Sequence, residues 1–319
     1  MAGSHGITKI MHTHTSPYKK DFNMKKATLI HNYRIHLSGI RAAVLLLLGS
    51  GLFSACVNDY KVDERQLTVS IEPLRYITEA IVGDCYDVTT LTPEGVSPET
   101  YMPTPQQMTS INNGSAYIFL GALGFEQQHM EKILETCPHL YVINVSENIQ
   151  LMPHGDGCHA SDGADPHIWT SPKNMKMIAS NIHKALCHMD TANTVTYNQN
   201  LDRFHHHLDS VDQVLHNTMK DVKNRTFLIN HPALAYFAAQ YGFRQLSVEH
   251  DGKEASAERV AHLIDECRKE GVKTIFVQKQ NSDRTTKRIA EELGVETVKI
   301  NPLAYRWEEE MYHIAKSFK

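Results

Sequence analysis

Four side chains of metal-ligating type stand beside predicted strand ends or helix starts in this chain: Glu99, His167, His231 and Asn301. His231 directly follows one predicted strand and Asn301 another, while Glu99 lies in a proline-rich loop that leaves a third. Because ligands in open α/β sheets gather beyond the carboxyl ends of the strands, these positions could converge on one site. Two imidazoles and a carboxylate are ligands of Zn²⁺ and of related divalent cations.

His167 lies just ahead of a predicted helix. Ser171 is a suitable N-cap and Pro172 a suitable first helical residue, and apolar residues follow at helical spacing. Taken singly, the positions also fit plainer interpretations: His167 as a surface imidazole, Glu99 as an exposed acid and Asn301 as the start of a turn. The shared setting of the four residues is what favours a metal site between the two halves of the chain.

The elements that would position these residues alternate between strands and helices in both halves of the chain. The segment 116–120 is continuously apolar, which is typical of a strand in a sheet covered on both faces. Between the halves the pattern is helical, with a break near 190–193. The sequence therefore predicts an α/β fold of two β/α lobes with parallel-sheet cores, joined by a long connecting helix, with the metal site between the lobes. The predicted divisions are a leader (1–55), a tether (56–66), an N-terminal lobe (67–170), connecting helices (171–222) and a C-terminal lobe (223–319).

The leader resembles a bacterial lipoprotein signal. An apolar run over 42–55 follows several basic residues and ends in small residues before Cys56. The run is short for a membrane span and has the layout of a secretory signal. The residues before Cys56 resemble a lipobox, in which the cysteine is acylated; a simple signal peptide or an uncleaved anchor is the alternative. The sequence thus predicts an exported protein, periplasmic or at the cell surface, that is anchored to the membrane by lipid at Cys56.

Charge argues against a nucleic-acid partner. The leader holds seven of the 32 basic residues and one of the 36 acidic ones, which leaves 25 basic against 35 acidic residues in the remainder. Nucleic-acid binding requires a basic surface to neutralise phosphates. An acidic exported protein is therefore a poor candidate, and no nucleic-acid partner is expected.

Several segments carry a family resemblance. From about Leu67 to its end, the chain resembles the metal-binding class of ABC-importer solute-binding proteins, the TroA-like family, and its zinc-uptake members in particular. The matching segments occur in the family's order: 71–84, 91–105, 120–126, 165–174, 230–243 and 300–304. The resemblance implies two lobes bridged by a rigid helix, with His167 and His231 as ligands of a metal between them. It also implies a carrier and not an enzyme, which hands the ion to an ABC transporter permease with its ATPase.

Two positions depart from the family pattern. The family usually has Ser-Pro-His where this chain has Ser97-Pro98-Glu99, and commonly has Asp where this chain has Asn301. A set of two histidines and one carboxylate survives these changes. The neutral amide of Asn301, or a water molecule in its place, would complete the ligand shell.

A second group of metal-ligating residues precedes His167. Zinc-uptake members often carry a loop rich in histidine and acidic residues at this point, and here that segment is short. It contains His154, Cys158 and His159. The segment is interpreted either as a polar linker or as a weak accessory metal site.

Zn²⁺ is the predicted ion, with Mn²⁺ or Fe²⁺ as the alternative because Glu99 adds a hard oxygen ligand. A metalloenzyme is an alternative of another class, since two histidines and one carboxylate also hold catalytic metals with open positions. No acid–base or nucleophile motif accompanies the ligands, which favours a carrier. An adhesin-like surface lipoprotein is the third possibility.

Overall fold

A computed structural model gives the fold of the chain and describes residues 63–153, 163–249, 255–280 and 284–318. The elements of the N-terminal lobe are β1 (Asp63–Val69), α1 (Glu72–Val82), β2 (Asp87–Thr90), α2 (Pro105–Asn113), β3 (Gly114–Phe119), α3 (Gly124–Thr136) and β4 (Tyr141–Asn144). Its four strands form a parallel sheet in the order β2-β1-β3-β4. The parallel arrangement follows from the helical connections, because a crossover returns the chain to the same end of the sheet.

The C-terminal lobe repeats this plan. Its elements are β5 (Thr226–Ile229), α6 (Ala235–Tyr241), β6 (Arg244–Ser247), α7 (Ala257–Glu270), β7 (Ile275–Gln278), α8 (Arg284–Leu293), β8 (Thr297–Ile300) and α9 (Trp307–Ser317). The parallel sheet has the order β6-β5-β7-β8, so the second strand lies at the edge beside the first in both lobes. The predicted fold of two β/α lobes with parallel-sheet cores is confirmed.

Two helices connect the lobes: α4 (Pro172–Met189) and α5 (Thr194–Met219). Helix α4 begins where the sequence predicts, because the Ser171 hydroxyl accepts the backbone N–H of Asn174 at 3.3 Å. The 26-residue α5 packs against α4 and α1 on one side of the molecule and against α9 of the C-terminal lobe. It is the long connecting helix.

A continuous apolar core crosses from one lobe to the other. Trp169 and Trp307 are fully buried at the junction. The Trp169 Nε1–H donates to the carbonyl of Pro302, and the Trp307 Nε1–H donates to the carbonyl of Trp169, each at 2.8 Å. The two indoles therefore bury large apolar surfaces and satisfy their polar groups at the same time, which fixes the loops that carry the candidate site residues.

Two elements begin earlier than the sequence predicts. Strand β1 starts at Asp63, within the predicted tether, because Asp63 pairs with Gly114 and its carbonyl accepts the hydroxyl of Ser115 at 3.2 Å. The sequence pattern predicts a helix over 127–136, but helix α3 starts at Gly124, because the carboxylate of Glu126 satisfies backbone N–H groups ahead of the helix. The start of β1 thus depends on residues that are distant in sequence, and the start of α3 depends on hydrogen bonds between a side chain and the backbone of a turn.

The predicted leader and Cys56 lie outside the described residues, so lipid attachment stays a prediction. Among the residues that the structure does describe, none of the helices combines the length and the apolar character needed to cross a bilayer. The accessory segment with His154, Cys158 and His159 also lies outside the described residues.

Candidate metal centre

Glu99 is half-buried in the loop between β2 and α2. Its Oε2 accepts the backbone N–H of Gly124 at 3.2 Å. Its Oε1 is buried and has no hydrogen-bond partner among the described residues. A buried carboxylate oxygen without a partner is unfavourable unless a cation or a donor completes it. Glu99 therefore keeps one oxygen available for a cation.

Gly124 allows the Glu99 loop to approach the start of α3. A Cβ atom at Gly124 would lie 2.3 Å from the carbonyl oxygen of Glu99, which is far inside van der Waals contact. The next residue, Phe125, donates its backbone N–H to the carbonyl of Pro98 at 3.2 Å. The absence of a side chain at Gly124 thus permits the backbone contacts that hold the Glu99 carboxylate.

Glu126 holds the turn that contains Gly124. Its carboxylate is buried and accepts the backbone N–H groups of Leu120 at 3.1 Å and Gly121 at 2.6 Å, together with the hydroxyl of Ser70. Burial raises the pKa of Glu126, while these hydrogen bonds act in the opposite direction. The side chain therefore acts as a buried acceptor that orders the turn on which Glu99 rests.

His167 is buried directly ahead of α4, and its orientation is fixed by Asp165. The Asp165 Oδ1 atom lies 2.8 Å from the His167 Nδ1 and also accepts the His167 backbone N–H at 2.8 Å. The ring of Trp169 packs against the imidazole with a centroid distance of 5.1 Å. A carboxylate on Nδ1 places the proton there and leaves Nε2 as the available lone pair.

His231 is arranged in the same way in the other lobe. It lies two residues beyond the end of β5, is buried, and its Nδ1 lies 2.9 Å from Glu249 Oε2. The side chain of Gln278 donates to the carbonyl of His231 at 3.1 Å, and the Glu249 N–H donates to the carbonyl of Asn230 at 2.8 Å. The imidazole thus has a carboxylate partner from the neighbouring strand end on its Nδ1, and its Nε2 faces the Nε2 of His167.

The two imidazoles face each other across the junction of the lobes. Their Nε2 atoms are 3.4 Å apart, and the ring planes are inclined by 71°. With both Nδ1 protons directed at carboxylates, two lone pairs meet at this distance, which is unfavourable without a cation between them. Two ligands that each lie about 2.0–2.1 Å from a tetrahedral Zn²⁺ are about 3.3–3.4 Å apart. The spacing of the imidazoles suits one zinc ion.

The structure brings together Glu99, His167 and His231, whose candidate ligand atoms all lie within 4.8 Å of one another. Within the described ranges, no other three His, Cys, Asp or Glu side chains form such a group. The three residues line a cavity of about 20 Å³, which is enough for an ion or one water molecule. Its other walls include Trp169, Gln278, Gln280, Pro302 and Leu303.

Asn301 does not line this cavity with the other three predicted residues. Its Oδ1 accepts the Nε2–H of Gln280 at 2.5 Å, and its backbone N–H donates to Glu310 Oε1 at 2.7 Å. The cavity wall is formed by Gln280 instead. The structure therefore places Asn301 behind Gln280.

Sequence reasoning missed the groups that support the ligands. Asp165 lies two residues before His167 in the segment 165–174, which carries the family resemblance. A carboxylate so close in sequence to a candidate ligand histidine could have been recognised as its hydrogen-bond partner. Glu249 and Gln280 each follow a strand of the C-terminal sheet, where the reasoning that found His231 also applies. Glu126 gave no signal, because its partners are backbone groups and the hydroxyl of Ser70, which is distant in sequence.

A protein-family model matches residues 67–316, which is nearly the full extent of the residues that the structure describes. The model is described as ZnuA, the periplasmic component A of the zinc-uptake complex. The chain belongs to this ZnuA family. Members of the ZnuA family are solute-binding proteins and not enzymes, which removes the metalloenzyme from the alternatives.

Relatives of the ZnuA family cover most of the chain. The high-affinity zinc uptake system protein ZnuA of Bacillus subtilis (strain 168) is 26% identical over 276 residues, covering 79% of this chain and 85% of its own. The zinc-binding lipoprotein AdcA of Streptococcus pneumoniae (strain ATCC BAA-255 / R6) is 25% identical over 274 residues, covering 80% of this chain and 54% of its own. A crystal structure of ZnuA is 33% identical with a TM-score of 0.75, covering 80% of this chain and 97% of its own.

Proposed function

We propose that this chain is an exported zinc-binding protein that delivers the ion to the permease and ATPase of an ABC importer. The observation that carries the proposal is the pair of imidazole Nε2 atoms 3.4 Å apart beside the free carboxylate oxygen of Glu99. Membership in the ZnuA family and the names of its relatives support zinc as the cargo and an importer as the destination.

The donor set favours zinc over manganese or iron. Two of the three ligands, His167 and His231, are imidazoles, and sites with nitrogen ligands bind Zn²⁺ more tightly than Mn²⁺ or Fe²⁺. Glu99 contributes the carboxylate, a harder ligand, and is the reason that Mn²⁺ or Fe²⁺ is the alternative cargo. Because the ligands come from both lobes, a bound ion also holds the lobes together.

Export and anchoring complete the proposal. The leader over 1–55 would be removed, and Cys56 would become the acylated first residue of a periplasmic or cell-surface lipoprotein. The apolar run ahead of Cys56 and the name of the AdcA lipoprotein support this part. Lipid attachment keeps the carrier beside its membrane transporter.

The accessory segment is proposed to collect zinc weakly ahead of the main site. Its donors would be His154, His159 and Cys158. Deleting residues 154–162 should leave one tight site and remove weaker binding, as measured by titration with zinc. Loss of the tight site would show that the segment supplies a direct ligand.

The main experiment measures the metal directly. The mature chain is purified without added metal, its metal content is determined, and zinc and manganese are titrated against a competing chelator. We expect one tightly bound zinc per chain. Equal affinity for manganese, or no tight zinc, would contradict the proposed cargo.

Glu99→His tests which ligand sets the preference for the metal. This variant restores the residue that the family usually carries and replaces an oxygen ligand with nitrogen. We expect it to retain zinc and to lose affinity for manganese, because manganese prefers oxygen ligands. An unchanged ratio of zinc to manganese affinity would show that Glu99 does not contact the ion.

A growth experiment distinguishes a role in zinc transport from a role in adhesion. A strain without the gene should grow poorly under zinc chelation, and the wild-type gene should restore growth where His231→Ala does not. Full rescue by His231→Ala would show that the cellular role does not require the metal site.

A further inference from the structure

We propose that Gln280 supplies a neutral oxygen to the metal and that Asn301 acts by orienting the Gln280 amide. This inference rests on the proposed function, because it concerns the same ion. Gln280 lines the cavity together with Glu99, His167 and His231, whereas Asn301 lies behind it. The chain therefore has a different fourth group from the one that the sequence predicts.

The hydrogen bond between the two amides determines which Gln280 atom is available. A glutamine amide has one carbonyl oxygen and an NH₂ group with two donors. The Gln280 Nε2–H donates to Asn301 Oδ1 at 2.5 Å. The NH₂ group is thereby directed to Asn301, which leaves the Gln280 carbonyl oxygen for a cation.

The rest of the cavity agrees with a carbonyl oxygen at this position. The Nε2 atoms of His167 and His231 and the free Oε1 of Glu99 are all electron-pair donors. An NH₂ group directed into the cavity would need an acceptor there, yet Glu99 Oε1, on the same cavity lining, has no hydrogen-bond partner among the described residues. A set of donors without an N–H group is complementary to a cation.

The backbone fixes both members of the amide pair. Gln280 follows the end of β7, where the Lys279 N–H donates to the carbonyl of Ile300 at 3.2 Å. Asn301 follows Ile300, and its own N–H is held by Glu310 Oε1 at 2.7 Å. The two side chains are thus carried by adjacent, hydrogen-bonded strand ends, so that Asn301 can orient Gln280 without contacting the metal.

A neutral fourth ligand has a consequence for selectivity. With Glu99 as the single anionic ligand, bound zinc keeps a net charge of about +1, and the preference of the site comes from its imidazoles. Gln280→Glu adds an anionic oxygen and should raise affinity for manganese more than for zinc. The position therefore sets the ratio of zinc to manganese affinity.

The test compares Gln280→Leu, Asn301→Ala and the double variant in the full mature chain. Leucine is similar in size to glutamine and has no atom that could bind a metal, whereas the thioether of methionine could. The zinc dissociation constant is measured by chelator competition, and the visible absorption of bound Co²⁺ reports the geometry of the ligands. Gln213→Leu, at an exposed position on α5, is the matched control, and metal-free melting shows whether each variant is folded.

We expect Gln280→Leu and Asn301→Ala each to weaken zinc affinity about 10- to 100-fold, the range seen when groups that support a metal site are removed. The double variant should lose no more than either single variant, because both remove the same contact. All three should change the Co²⁺ spectrum in the same way.

Several outcomes would overturn the assignment. A loss of zinc affinity for Asn301→Ala without one for Gln280→Leu would make Asn301 the ligand, and additive losses would make the two residues independent. No loss for Gln280→Leu would show that the Gln280 carbonyl oxygen does not bind the ion. Failure of the wild-type chain to bind zinc tightly is a separate result that contradicts the proposed function.

Discussion

The imidazoles of His167 and His231 approach each other edge to face from different lobes, with their Nε2 atoms 3.4 Å apart and each Nδ1 on a carboxylate. This arrangement brings two lone pairs together between two buried rings. A divalent cation between them converts an unfavourable contact into two bonds. The stability of the junction between the lobes should therefore depend on metal.

The first prediction concerns zinc-dependent stability. Zinc at a thousandfold excess over its dissociation constant should stabilise the wild-type chain by roughly 4 kcal/mol. His167→Ala and His231→Ala should each remove most of that gain, because each deletes a bond from one lobe. The measurement is thermal melting with and without zinc, with exposed His216→Ala as the control. If both variants keep the zinc-dependent rise in melting temperature of the wild type, zinc does not bind at the proposed site between the lobes.

The second prediction concerns the carboxylate that orients His167. Asp165→Ala removes an acceptor from both Nδ1 and the backbone N–H of His167, so zinc affinity should fall about 10- to 100-fold. Asp165→Asn keeps an oxygen acceptor and should lose much less. Calorimetric titration of the two variants checks this order. Equal losses would mean that the charge of Asp165 matters more than the orientation that it provides.

The third prediction concerns the close approach at Gly124. Gly124→Ala places a Cβ against the Glu99 backbone, so the loop must move, at a cost of about 1–3 kcal/mol. Zinc affinity should fall together with stability because Glu99 is displaced. Gly294→Ala strains a backbone at φ +66 in open space and should lower stability while keeping zinc affinity. Wild-type zinc affinity in Gly124→Ala would show that the Glu99 carboxylate is positioned by other contacts.

The fourth prediction concerns acid stability at the joint between α4 and α5. Hydrogen bonds from the side chains of Asn193 and Tyr197 lower the pKa of Asp190. A carboxyl whose pKa is lower in the folded state stabilises the fold above its unfolded value of about 3.9, and this contribution is lost as pH falls through the folded value. Metal-free wild type should therefore lose more stability than Asp190→Asn between about pH 5 and pH 2.

Urea unfolding at a series of pH values measures this difference. Asp202→Asn, at an exposed position on α5, serves as the control and should keep the pH dependence of the wild type. Parallel stability curves for wild type and Asp190→Asn would show that these hydrogen bonds do not favour the ionised carboxyl in solution.

The fifth prediction concerns the anchor. Cys56→Ala removes the thiol that would be acylated, so the variant should be soluble or unprocessed where the wild type is in the membrane fraction. Labelling with a fatty-acid precursor followed by fractionation checks this. Equal lipid labelling of the variant would exclude Cys56 as the attachment site.

The sequence by itself determined the alternation of strands and helices, the start of α4 at Pro172 and the three residues that meet at the site. These features are local. The pattern of apolar residues predicts the strands, and Ser171 and Pro172 predict the helix start. His231 lies beside a predicted strand end, where ligands gather. Parallel topology then brings such strand ends to one edge without further information.

Only the tertiary structure decided the placement of Gln280 ahead of Asn301 and the acceptors behind the imidazoles. Asn301, like His231, lies just beyond a strand end, so its position in the sequence alone predicts a ligand. The side chain of Gln280 is one methylene longer and comes from the adjacent strand end, so it forms the cavity wall and hydrogen-bonds to Asn301. Which of two neighbouring amides faces an ion depends on distances of a few ångströms between strands, and those distances are set by packing, which the order of residues along one strand does not specify.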